Sequence, residues 1–172
     1  MPIIAFAGRC CTIVALALGT SALAAPASAD PSTLIGTWRL ISYIDTPEGG
    51  APIRAFGERP IGLFVFTADG HVTINVMRNP PDMATPKDDI DPDACVPAWY
   101  CAYFGTYRID SGQSQLVTRV LGGNIPTFLG TEQTRQFVIT GDRLTFSAIY
   151  DANGRRVHSE RILVRADAAN RD

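Results

Sequence analysis

The side chains that carry most protein chemistry are sparse in this chain. His71 and His158 are its only histidines, and neither stands at metal-ligand spacing from another donor. There is no G-x-S-x-G nucleophile elbow and no glycine loop that could cradle phosphate. Ser159 adjoins His158, but side chains one apart on a strand face opposite ways, so the two form no nucleophile–base pair. The residues therefore name no catalytic group, no metal site and no cofactor. What remains is Arg135, together with aromatic residues that recur at even spacing: Phe64 and Phe66, Tyr103 and Tyr107, Phe146 and Tyr150.

Even spacing matters because residues two apart share one face of a strand. In the run 133–140, Gln133, Arg135, Phe137 and Ile139 oppose Thr134, Gln136, Val138 and Thr140. The first set is the more apolar at its deep end and is expected to face inward, with Arg135 and Gln133 toward an opening. An arginine aimed into an apolar interior must be paired or solvated, since an isolated buried charge is very costly. Its partner could be an anionic or carbonyl head on a ligand, gripped by the planar guanidinium fork. The alternative is a structural pair with an acid such as Glu58 or Glu160, or contact with water at the opening. Each aromatic alone reads as packing, and only the set reads as the wall of a small-molecule pocket.

Eight strand-like runs could position these groups: Leu34–Ile44, Ile61–Thr67, His71–Arg78, Ala102–Ile109, Gln115–Leu121, Gln133–Thr140, Arg143–Tyr150 and Arg156–Val164. Each is rich in β-branched or aromatic residues and bounded by Gly, Pro, Asp or Asn. Short connections (68–70, 110–114, 141–142) alternate with longer ones (45–60, 79–101, 122–132, 151–155). In an up-and-down antiparallel barrel successive connections lie at opposite ends, so tight turns would gather at a closed base and long loops at a mouth. The predicted fold is all-β, an eight-stranded up-and-down antiparallel barrel, a size that can hold one small ligand.

Gly36-Thr37-Trp38 at the start of the first strand resembles the G-x-W signature of lipocalins. Pro60-Ile-Gly62, Phe66-Thr-Ala-Asp-Gly70, Tyr103-Phe-Gly-Thr-Tyr107, Gly130-Thr-Glu-Gln-Thr-Arg135 and Gly141-Asp-Arg-Leu144 resemble the bacterial and fungal lipocalin-like domain family in particular. The likeness spans about Leu34 to Val164. It implies a structural pairing of Trp38 with an arginine of the last strand, expected to be Arg161, near the base. A histidine often carried on the fifth strand in that family has no counterpart near Arg119. The resemblance implies a protein that holds a small, mostly apolar molecule. Two alternatives stay open. One is a cyclase, hydratase or isomerase acting on an apolar biosynthetic intermediate in the same cavity; the other is a barrel filled by its own side chains that serves as a structural or interaction module.

Residues 1–29 read as a signal peptide, with one charge (Arg9), an apolar run from Cys11 to Leu23 and an A-x-A cleavage site at Ala27-Ser28-Ala29. Residues 30–172 then form one domain, expected to be periplasmic or secreted and to lack a membrane span. In such a compartment Cys95 and Cys101 are expected to form a disulfide. The loop 79–101 holds five prolines and acidic residues including Asp88-Asp-Ile-Asp-Pro-Asp93. It reads as a lid over the mouth, and without the glycine turn and final Glu of an EF-hand it reads as solvated rather than calcium-binding. A formal charge of −2 without basic runs gives no electrostatic reason to bind nucleic acid or anionic membranes.

Overall fold

The computed structural model describes residues 31–81, 95, 99–110 and 112–166. The expected signal peptide, most of the expected lid and its acidic run lie outside the described residues. Eight strands close into one antiparallel barrel in chain order: β1 (Gly36–Pro47), β2 (Ile61–Phe66), β3 (His71–Met77), β4 (Tyr100–Asp110), β5 (Gln115–Gly123), β6 (Glu132–Thr140), β7 (Arg143–Ala152) and β8 (Arg155–Arg165). Closure is made by β1 against β8, from Trp38 opposite Arg165 to Pro47 opposite Val157. No helix among the described residues is long and apolar enough to cross a membrane.

Alternation sets which side chains fill the barrel. Val72, Ile74 and Val76 are buried on β3, while Leu144 and Phe146 are buried on β7. Tight connections between β2 and β3, β4 and β5, and β6 and β7 mark the base, as predicted. The last connection differs from its prediction. Strands β7 and β8 run on until Ala152 opposes Arg155, leaving a two-residue Asn153-Gly154 hairpin in place of a longer loop. Both turn residues have positive φ, 51° and 74°, the geometry in which an Asn-Gly pair follows the twist of its flanking strands.

The base is sealed from below. A short 3-10 turn, Pro31–Leu34, brings a fully buried Leu34 under the barrel, and its carbonyl accepts from the Trp38 indole at 2.8 Å. The guanidinium over the Trp38 ring, at 4.2 Å, belongs to Arg165 and not to Arg161. Arg165 also donates to the carbonyls of Ile35 (3.0 Å) and Thr33 (2.6 Å), which pins the turn in place. Arg161 and Arg165 share the inward face, so a period of two cannot separate them. The extra length of β8 and a register shift between Leu40 and Ser42 put Arg161 opposite Tyr43 instead.

Candidate functional site

The inward side chains change character with height. At the base, Phe66 meets Tyr107 edge-on at 5.3 Å, and the Tyr107 hydroxyl donates to the Thr67 carbonyl at 2.9 Å. Above them Leu40, Phe64, Ile74, Leu116, Phe137, Phe146 and Leu163 form a buried apolar layer. One step higher the lining turns polar, with Tyr43 from β1, Tyr103 from β4, Thr118 from β5, Arg135 from β6 and Arg161 from β8, followed by Gln133, Tyr150 and Ser159. These groups surround a cavity of about 180 Å³.

The cavity has an apolar cover. Ile125, just before the 3-10 turn Pro126–Phe128 of the β5–β6 connection, and Phe128, its last residue, line it from above, and Phe128 packs edge-on against Tyr103 at 5.9 Å. Cys95 and Cys101 are bonded, with Cα atoms 5.2 Å apart, and both line the cavity. The expected disulfide is thus part of the wall. Phe56, from the β1–β2 connection, packs on Tyr43 at 4.6 Å.

Two arginines enter this space in different electrostatic states. Arg161 grips Asp45 with both terminal nitrogens, at 2.9 and 3.2 Å, donates to the Ile44 carbonyl at 2.8 Å and lies 3.2 Å from the centre of the Tyr43 ring. Burial works to lower its pKa, but Tyr43, Asp45 and Tyr150 outweigh burial, and the group stays charged. Asp45 is itself fixed by reciprocal backbone hydrogen bonds with Ile53, at 3.0 and 2.7 Å. Arg135 is held differently. Its guanidinium donates to the neighbouring Thr134 carbonyl at 3.0 Å, and among the described residues no carboxylate pairs with it. Glu58 instead pairs with Arg54 at 3.1 Å, and Glu160 is exposed on the outer face. Burial pushes the Tyr103 phenol above its ordinary value, with Arg135 and Arg161 pulling part of the way back, so it is a neutral donor at physiological pH.

Of the expected ligand contacts, Phe64, Tyr103, Gln133, Arg135, Phe146 and Tyr150 line the cavity. Phe66, Tyr107 and Phe137 do not. They sit below it as packing, with Phe66 and Phe137 both against Phe146 at 6.1 and 6.4 Å. Alternation assigns a face but no height, and height decides who reaches the hollow. Sequence reading missed Arg161 by assigning it to Trp38, missed Thr118, which shares the inward parity of Leu116, and missed Tyr43, which turns inward only through the register shift between Leu40 and Ser42. Ile125 and Phe128 left no periodic signal, because they lie in a connection.

A family model described as a lipocalin-like domain matches residues 35–166. The chain belongs to the lipocalin-like domain family. That span covers all eight strands, so the whole lipocalin-like barrel falls within the match. No curated protein matches the sequence. Among solved structures, a redesigned beta barrel aligns with 14% identity and a TM-score of 0.41, covering 79% of this chain and 94% of that chain.

Proposed function

We propose that this lipocalin-like protein binds a small, mostly apolar molecule inside the barrel, with an anionic or carbonyl head against Arg135. The observation that carries this reading is Arg135 itself, a half-buried guanidinium lining the hollow with no carboxylate partner among the described residues. A charge in that setting favours an acceptor group delivered from outside. The hollow also bears on a barrel filled by its own side chains: filling describes the lower half, while the upper half retains about 180 Å³. Export accompanies this function in our reading, and a disulfide built into the cavity wall fits an oxidising compartment.

Displacement of an environment-sensitive apolar dye from the purified protein tests the reading. Binding of the dye, with competition by acidic apolar molecules that is lost in Arg135→Ala while competition by neutral ones persists, is the expected result. Acidic competitors that displace equally well from the wild type and Arg135→Ala would remove Arg135 from the site.

A further inference from the structure

The size, charge and donor count of the cavity narrow the ligand further, on the basis of the binding reading above. Pockets for drug-sized ligands span roughly 300–1,000 Å³, whereas an apolar cavity of about 150 Å³ takes one benzene. A hollow of about 180 Å³ therefore has room for one ring and a short substituent. The floor suits a ring, since Phe64 and Phe146 stack there with centroids 6.2 Å apart and Ile74 and Leu116 beside them.

Charge fixes the head group. Among the described residues two cations face the space, Arg135 and Arg161, and Asp45 neutralises Arg161 through two hydrogen bonds. Asp151 reaches only the rim, where it is exposed and stands opposite Arg156 on the next strand. Among the described residues one positive charge at the cavity has no carboxylate partner, that of Arg135. Donor count agrees: a guanidinium offers five N–H groups, and among the described residues Arg135 donates one side-chain hydrogen bond, to the Thr134 carbonyl. The Tyr103 hydroxyl lines the same cavity and has no acceptor among the described residues. A carboxylate has about four lone-pair sites and can take both donors at once.

We propose that the cavity receives a single-ring aromatic monocarboxylate, its carboxylate held by Arg135 and Tyr103 and its ring on the Phe64–Phe146 floor. Isothermal titration calorimetry of the purified protein with benzoate, benzyl alcohol, benzylamine, phthalate and decanoate tests this. Benzoate is expected to bind at least about tenfold more tightly than benzyl alcohol, the gain from a charge-assisted hydrogen-bonded pair, with benzylamine, phthalate and decanoate weaker than benzoate. Arg135→Met should reduce benzoate to the level of benzyl alcohol, and Arg135→Lys, which keeps charge but loses the fork, should fall between. Tyr103→Phe should weaken benzoate by about three- to tenfold, the worth of one hydrogen bond. Asp45→Asn, confirmed as folded by far-ultraviolet circular dichroism, frees Arg161 and should improve phthalate relative to benzoate. Equal affinity for benzoate and benzyl alcohol, or a preference for decanoate, would overturn the inference and leave the cavity reading standing. Failure of every ring compound and of the apolar dye would overturn both.

Discussion

At the scale of the residue, the buried pair of Asp45 and Arg161 commits two charges to the barrel interior. Their side chains are only 10% and 14% exposed, so each has left water and each relies on the other. Removing one partner strands a charge, which costs about 3–5 kcal/mol, whereas removing both strands none. Arg161 also loses its stack on Tyr43, a contribution of about 0.5–2 kcal/mol. Urea denaturation of Asp45→Leu, Arg161→Leu and the double variant should therefore show a strongly sub-additive cycle, with the double variant more stable than the worse single one. Additive losses would mean that the two charges act independently. Because the pair is buried, the coupling should persist in high salt, unlike that of the exposed Arg108–Glu132 pair.

At the scale of the element, strands and their faces were legible in the sequence, but their ends and heights were not. Val72, Ile74 and Val76 announce their strand through a period of two, and the prediction for β3 needed little change. Arg161 and Arg165 are equally inward by that period, and only the true register chooses between them as the partner of Trp38. Registers depend on irregularities such as the shift at Leu40–Ser42 and the one between Phe104 and Gly105, which arise from packing across strands and leave no local pattern. Glycines at these places and in turns separate two physical causes. At Gly154, φ is +74° and an added Cβ meets nothing within 4 Å, so Gly154→Ala should cost only the backbone penalty, about 1 kcal/mol. At Gly105 the same atom would run into the Arg119 carbonyl of the paired strand. Gly105→Ala should accordingly lower the denaturation midpoint well beyond Gly154→Ala, and equal losses would contradict the tight approach of β4 and β5.

At the scale of the whole molecule, the barrel works as a container for neutral phenols, and that makes its stability sensitive to alkali. Burial raises the pKa of Tyr103 in the cavity and of Tyr107 at the base, where the nearby Asp69 charge adds to the effect. In the unfolded chain both titrate near the ordinary value of 10.0. Above that pH the unfolded state has lost protons that the folded state retains, so folding binds protons and stability falls as pH rises. The contribution is fully present below about pH 10 and is lost as pH climbs through the raised folded values. Alternating long and short connections made the container visible from sequence, but the placement of one phenol in the hollow and the other beneath it required coordinates. That placement gives the prediction its control. Urea midpoints measured from pH 8 to 11 should decline less steeply in Tyr103→Phe and least in Tyr103→Phe/Tyr107→Phe. A bound aromatic acid, if it accepts from the Tyr103 hydroxyl, should hold that proton in place and shift the onset of the decline upward in the wild type but not in Tyr103→Phe. An alkaline decline that is identical in the wild type and the double variant would show that these phenols are as free to ionise inside the barrel as outside it.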